Sequence, residues 1–285
     1  MTDITKKYLF KYGNQKITSG DILEILQNFN ADQCDVLYIH TGMQFGMPNL
    51  ELSRSDLLDT FADVLYKLDV PTLIMPSYTF SFCNDEVFDI SLTRSSMGAF
   101  NEHLRTKHQW KRSHDPLMSN ILFGNKTGFI DDIGKNSVGE GSTFDLLAKS
   151  GQKVKFLFLG PRVHDCFTYM HYLEAVEKVP YRYNYDFEGI IVNGERQYED
   201  KYSLFIRDEG VEAGGGAKIY ENIMIESQLA KFRFLGGGAI TVLDLESAQD
   251  IYIDLLRKSP NFYIEEVFNT PTRSKVFQKR KMVAL

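Results

Sequence analysis

Apolar residues recur along this chain in two rhythms. From Ser19 to Phe29, Ile22, Leu23, Ile25, Leu26 and Phe29 repeat at helical spacing, with Ser19 or Asp21 available as a cap. Asp35 to Thr41 is then a short apolar run that ends in polar residues and Gly42, the pattern of a buried strand feeding a loop. Asp56 to Leu68 is helical again, with Leu57, Leu58, Phe61, Val64, Leu65 and Leu68 on one side and Pro71 beyond its end. Thr72 to Pro76 reads as a second strand, and it too runs into polar residues, Ser77, Tyr78 and Thr79. Ser96 to His108 predicts a helix, Leu117 to Phe123 a strand or turn, Phe144 to Lys149 a short helix, and Val154 to Leu159 a third buried strand closing at Gly160-Pro161. Thr168 to Lys178, Glu221 to Leu229 and Leu245 to Ser259 read as helices, with Ile240 to Leu243 a short strand between the last two. Tyr181 to Tyr202 is rich in Tyr, Ile and Val around an Asn193-Gly194 turn signal, which predicts a β-hairpin.

Strands that alternate with helices define the α/β class. The expectation is one α/β/α layered domain over all 285 residues, with a largely parallel central sheet and a small β-hairpin excursion at about 181–205. In such sheets the ligand crevice lies beyond the C-terminal ends of the strands. The polar clusters His40-Thr41, Ser77-Tyr78-Thr79 and Gly160-Pro161 fall at those ends. The tail from about 262 to 285, basic over Arg273 to Lys281, reads as a solvated or packing tail.

Composition removes several function classes. Hydrophobic residues make up 43% and charged residues 25%, enough for a core without disulfide or metal. The net charge of −6 shows none of the basic excess of a nucleic-acid binder. Cys34, Cys83 and Cys166 form no CxxC pair, so neither a zinc ribbon nor a disulfide framework is indicated. No apolar run approaches the roughly 18 residues that span a bilayer, and Met1 to Tyr12 lacks the apolar core of a signal peptide. A cytoplasmic location is expected, with no nucleic-acid or membrane partner; a homo-oligomer is left open.

The segment most loaded with chemistry is Leu159-Gly-Pro-Arg-Val-His-Asp-Cys-Phe-Thr-Tyr-Met-His171-Tyr-Leu-Glu174. A strand ends, a polar loop follows, and a helix opens near Thr168. His171 and Glu174 lie three apart and share a helix face, where a carboxylate can orient an imidazole and raise its basicity. A surface His–Glu pair has the same spacing. His164, Asp165, His171 and Glu174 match no zinc signature, so no metal is expected. Cys166 reads as a structural thiol rather than a nucleophile. A second segment gathers Arg94, Arg105, Lys111 and Arg112 with several hydroxyls, a set that suits a diphosphate clamp or an ordinary charged surface.

Taken in order, His40-Thr41-Gly42, Met75-Pro-Ser-Tyr-Thr79, Met97-Gly98 with Arg105, Arg112-Ser113 with Pro116 and Ser119, Gly139-Glu-Gly-Ser142, Thr168-x-x-His171-x-x-Glu174 and Val179-Pro-Tyr-Arg182 resemble the aminoglycoside 3-N-acetyltransferase-type family. The resemblance runs from about residue 20 to 260. It implies transfer of an acetyl or other short acyl group from acyl-CoA to a primary amine, by direct attack and without an acyl-enzyme. It implies His171 as general base, Glu174 as its partner and Glu221 as a late acidic member of the site. His40, Thr41, Ser77, Thr79, Arg112 and Ser113 fall where the family holds the cofactor or its acyl group. Tyr78, His164, Thr168 and Arg182 are the expected substrate contacts. Two positions depart from the family pattern: Gly42 stands where a Ser is usual, and Asp115 precedes Pro116 where a His or Asn is usual. The acceptor expected first is an amino sugar, free or nucleotide-linked; the alternatives are an aminoglycoside and, in another class, hydrolysis of a thioester or amide.

Overall fold

The computed structural model describes residues 7–125 and 127–272. In chain order, a small antiparallel pair, β1 (Tyr8–Tyr12) and β2 (Gln15–Thr18), leads into α1 (Ser19–Asn28) and β3 (Val36–Thr41). The two-residue β4 (Met47–Pro48) follows, then α2 (Arg54–Tyr66), β5 (Thr72–Pro76), the short β6 (Phe88–Asp89) and α3 (Ala99–Thr106). Next come β7 (Lys111–Arg112), β8 (Asn120–Gly124), α4 (Thr143–Lys149), β9 (Val154–Gly160), α5 (Val163–Cys166) and α6 (Tyr169–Val176). A long hairpin, β10 (Arg182–Asn193) and β11 (Arg196–Arg207), precedes β12 (Glu209–Ala213) and α7 (Gly215–Glu226). The chain closes with β13 (Ala230–Leu235), β14 (Gly238–Asp244), α8 (Leu245–Lys258) and β15 (Ile264–Thr272).

The central sheet has seven strands in the order β13-β14-β9-β3-β5-β8-β7. Only the β9–β3 and β3–β5 pairings are parallel; the pairings of β13 with β14, β14 with β9, β5 with β8 and β8 with β7 are antiparallel. The fold is therefore mixed α/β, which corrects the expectation of a largely parallel sheet. The cause is local. Gly236 and Gly237 turn β13 straight back into β14, and β7 likewise turns back into β8, so each flank joins the central strands through a strand of opposite sense, β14 beside β9 and β8 beside β5.

Pleating puts alternate residues of the central strands on opposite faces. Val36, Tyr38, Val154, Phe156 and Phe158 face one core, shared with α4, α6, α7, α8 and the hairpin; Leu37, Ile39, Leu157 and Leu159 face the other, shared with α1, α2 and α3. The continuous apolar runs seen in sequence are strands buried on both sides. The first helix is capped by Thr18 rather than Ser19: its hydroxyl accepts from Asp21 N at 3.2 Å, and the Asp21 carboxylate accepts from Thr18 N at 2.7 Å. The hairpin is longer than expected and runs to Arg207 in unbroken register. The expected tail is in part β15, paired with β12; Arg273 to Lys281 lie outside the described residues. Among the described residues, no helix is long and apolar enough to cross a membrane.

Candidate active site

Three parallel strand ends bring their loops together. At Gly160, φ is +109° and an added Cβ would fall 1.5 Å from the carbonyl oxygen of Gly42. Only glycine lets the ends of β3 and β9 approach this closely. Thr41, the last residue of β3, donates to Asn101 Oδ1 at 2.8 Å, and Asn101 Nδ2 donates to Pro76 O at 2.7 Å, so α3 ties the ends of β3 and β5 together. His40 is buried and stacks on Phe158 with centroids 4.9 Å apart and planes 11° from parallel. Its Nε2 has no partner, and burial pushes the imidazole down to about 3. It is a neutral ring in the wall.

A line of hydroxyls crosses from the sheet to α6. Tyr38 donates to Asn120 Oδ1 at 2.7 Å and meets the Tyr78 hydroxyl at 3.0 Å; Tyr78 in turn meets Thr168 Oγ1 at 3.0 Å. Thr168 opens α6, one turn before His171. That helix carries the central feature. His171 Nδ1 lies 2.8 Å from Glu174 Oε2, and Tyr181 donates to Oε1 at 2.5 Å. Arg182 Nε is 2.9 Å from Oε2, an ion pair whose N–H is out of line for a hydrogen bond, while Nη1 donates to Phe205 O at 3.2 Å. Glu174 is fully buried.

These contacts fix the tautomer. A carboxylate oxygen at 2.8 Å needs a proton on Nδ1, so Nε2 carries the lone pair. With that proton in place, Arg182 Nη2, 3.2 Å from Nδ1, cannot donate to it. Burial and the Arg182 charge push His171 below its ordinary value, against the pull of Glu174. Burial alone would raise Glu174, but Arg182 and the hydrogen bonds from His171 and Tyr181 outweigh it and hold the carboxyl below its usual range. The result at neutral pH is a neutral imidazole braced by a buried carboxylate, the arrangement a general base requires.

A second His–Glu pair lies nearby in sequence but is built differently. Glu221, on α7, accepts from Arg162 Nε at 2.8 Å and from Val163 N at 3.1 Å, and it is paired with His164 Nδ1. His164 Nε2 also faces Asp165 Oδ1 at 3.3 Å. Glu221 thus meets His164, not His171. The Arg162 guanidinium sits 4.7 Å over Phe232 and 5.3 Å from Phe234 on β13.

Of the remaining expected contacts, all but Ser77 are held by the protein itself. Thr79 Oγ1 donates to Pro116 O at 2.7 Å, and Ser113 Oγ accepts from Asn120 N at 2.8 Å. Ser77 Oγ is buried without a partner. Arg112 donates to the carbonyls of Ser77, Thr93 and Ile90 at 2.8, 2.5 and 3.3 Å and to Ser119 Oγ at 3.1 Å. Burial and the neighbouring Arg105 bring its guanidinium down to about 10, so it stays charged. Its donors are spent on Ser77, Ser119 and the loop from Ile90 to Thr93. Arg105 pairs with Glu102, and Lys111 with Asp131. Of the four basic residues, Arg94 alone is exposed with no ion pair or hydrogen bond among the described residues; it lines an open depression with Ser95, Ser96, Gly98 and Ala99 at the start of α3. Asp115 accepts from Leu117 N at 2.8 Å, Met118 N at 3.0 Å and Ser137 Oγ at 2.9 Å, which makes it a turn-forming carboxylate. Tyr38, Asn101, Arg162 and Tyr181 were not anticipated. Two of them carried a signal: Tyr181 lies inside Val179-Pro-Tyr-Arg182, and Arg162 inside the segment from Leu159 to Glu174.

A neutral imidazole braced by a buried carboxylate, in a mixed α/β fold, can take a proton from an attacking nucleophile. The chain belongs to the aminoglycoside 3-N-acetyltransferase family, whose model matches residues 40–256. Membership makes it an acetyl-CoA-dependent N-acetyltransferase. Among solved structures, it is similar to AAC-IIIb in binary complex with CoASH, at 18% identity and a TM-score of 0.70 over 90% of this chain and 99% of that one. It is also similar to aminoglycoside acetyltransferase AAC(3)-Xa, at 19% identity and a TM-score of 0.69 over 85% and 93%. Sisomicin-bound AAC-VIa gives 16% identity and a TM-score of 0.70 over 85% and 98%. At these identities the likenesses speak for the fold. No match was found among curated proteins.

Proposed function

We propose that the protein acetylates a primary amine of an aminoglycoside-type acceptor, with His171 as general base. The observation that carries the reading is the Nδ1–Glu174 contact, which leaves Nε2 of a neutral imidazole free. As the amine nitrogen attacks the thioester carbonyl, its proton passes to Nε2; the C–S bond then breaks, and the CoA thiolate leaves and takes up a proton. Glu174 stabilises the imidazolium formed in that step. Thiolate is a good leaving group, so no covalent acyl-enzyme is needed.

The family's own description supports an aminoglycoside over the amino sugar favoured from sequence. One solved relative holds CoASH and another holds sisomicin, which supports the same pair of ligands here. For the cofactor, Arg94 with the uncapped start of α3 at Gly98 suits the CoA diphosphate, since helix N-termini and Arg forks favour phosphate. Ser77, whose hydroxyl is buried without a partner just beyond β5, is assigned to the acyl group in this reading. Thr41, Thr79, Arg112 and Ser113 act behind these groups, by holding the strand ends in place.

The test is release of free thiol from acetyl-CoA with a panel of aminoglycosides, amino sugars, nucleotide-linked amino sugars and amino acids. Aminoglycoside-dependent release supports the reading. Preference for a nucleotide-linked sugar moves the acceptor class, and release without amine replaces transfer by hydrolysis.

A further inference from the structure

Away from the acetyl-transfer site, three side chains converge between α2 and the end of α3. Asp59 Oδ1 lies 2.7 Å from His103 Nε2 and 3.0 Å from His108 Nε2. The donor atoms of all three residues fall within 4.8 Å of one another. Asp59 sits on α2, His103 in the last turn of α3, and His108 just beyond it, where Gln109 at φ 55° turns the chain sharply. The neighbouring Leu58, Phe61, Phe100 and Leu104 belong to the core on the Leu37–Ile39 side of the sheet, opposite the one containing Tyr169 and Tyr172 of α6. This cluster is therefore separate from His171, and it lies at the opposite end of α3 from Gly98.

We propose that Asp59, His103 and His108 bind one divalent transition-metal ion of the zinc type, clamping α2 to the C-terminal end of α3. Two imidazoles and one carboxylate are the donor set that zinc and its neighbours prefer. The distances suit it. Ligands about 2.0–2.1 Å from a tetrahedral ion stand about 3.3 Å from one another. The two observed separations, 2.7 and 3.0 Å, need to open by only about half an ångström. All three side chains keep some exposure, so water can complete the coordination.

Outer contacts already support the ligand orientation. His108 Nδ1 lies 3.1 Å from the Tyr66 hydroxyl, which accepts from Trp110 Nε1 at 2.9 Å. An anchored second ring nitrogen is the usual support for a metal-binding histidine. Lys107 Nζ is 2.7 Å from Asp59 Oδ2 and 2.6 Å from Ser55 Oγ, so it occupies the far carboxylate oxygen and leaves Oδ1 to the ion. Its charge still competes with a cation, and this separates the proposal from a plain hydrogen-bonded cluster. If the cluster is only a hydrogen-bonded hub, Lys107 is part of what holds it. If it is a metal site, removing that charge favours the metal.

The experiment is titration of chelator-treated full-length protein with zinc chloride by calorimetry, repeated with cobalt chloride by absorption. One equivalent should bind to wild type, and zinc should raise the thermal midpoint. His103→Gln and His108→Gln should each weaken binding by at least about 100-fold, since outer-sphere losses alone reach that range. Lys107→Met should bind as tightly as wild type or more so. Acetyl transfer should survive in all three, which shows that they fold. No stoichiometric binding to wild type overturns the proposal. So does binding unchanged in both histidine variants, or a cobalt spectrum with intense thiolate charge-transfer bands, which would place the ion on Cys34, Cys83 or Cys166. Should a histidine variant fail to fold, the cobalt spectrum and Lys107→Met decide.

Discussion

His40 offers a prediction that can be worked through from a single buried ring. Its imidazole is stacked on Phe158, has no partner for Nε2, and is pushed from an ordinary value of 6.5 down to about 3 by burial. The unfolded chain therefore takes up a proton here at a pH where the folded one does not. Stability from this group is present above pH 6.5 and is lost as the pH falls toward 3. With 1.36 kcal/mol per pKa unit, the loss between pH 7 and pH 4 is about 3 kcal/mol. That is a large share of the roughly 5–15 kcal/mol that holds a domain together. His40→Phe keeps the ring against Phe158 and removes the titration. Urea unfolding of wild type and variant at pH 7 and pH 4 gives four free energies. Any packing penalty of the larger ring is the same at both pH values and cancels in the difference of differences. The expected outcome is that the variant loses about 3 kcal/mol less than wild type across this interval. Equal losses would show that His40 is protonated, or solvated, in the folded protein, and would remove it from the buried wall of the crevice.

Other outcomes follow from the same geometry. His171→Ala should cut turnover by at least about 100-fold, the low end for a lost general base, while CoA binding stays unchanged by thermal shift; turnover within a few-fold of wild type would dismiss His171 as the base. Arg182 helps push His171 down, so Arg182→Gln should raise the imidazole and move the acid limb of the kcat/KM profile to higher pH, since the inactive protonated form then persists further; a limb that moves down or stays refutes the pairing. Gly160→Ala should lower the thermal midpoint sharply, because the new Cβ meets the Gly42 carbonyl oxygen at 1.5 Å and the backbone strain alone is worth about 1–3 kcal/mol, whereas Gly42→Ser should fold normally, its nearest side-chain neighbours lying 3.5 Å away. Arg94→Ala should raise KM for acetyl-CoA with little change in kcat; an unchanged KM would take the diphosphate away from α3.

Periodicity located the central helices and strands because both faces of the sheet are buried and the apolar runs are unbroken. It failed where pairing rather than burial makes the strand. β13, with a largely exposed Phe232-Arg-Phe234 stretch, is held by its ladder to β14, and β12 and β15 by each other. The direction of the flanking strands was equally hidden. A short apolar run has no polarity of its own; whether it lies parallel or antiparallel depends on the length and path of the connection before it. The α7 boundary was misplaced as well: the helix expected from Glu221 begins at Gly215, and Gly216 in its first turn packs against Phe262, where an added Cβ would fall 2.4 Å from the Phe262 carbonyl oxygen.

The two histidine–carboxylate pairs show what spacing can and cannot reveal about chemistry. His171 and Glu174 are three residues apart, so a single helix suffices to bring them together, and the sequence displays the pair. His164 and Glu221 are joined only when α7 packs against α5, across a separation of 57 residues. Proximity alone does not distinguish their roles; the free ring nitrogen does. His164 has Glu221 at Nδ1 and Asp165 at Nε2, so both nitrogens are directed to carboxylates, and Glu221 is shared with Arg162 and a backbone N–H. That ring is suited to holding α5 against α7. His171 has its carboxylate on one side only, and Arg182 beside it disfavours the protonated form. A base must be neutral before the reaction and stabilised after it. Of the two rings, only His171 combines an unengaged nitrogen with a buried carboxylate that gains from the charge it acquires.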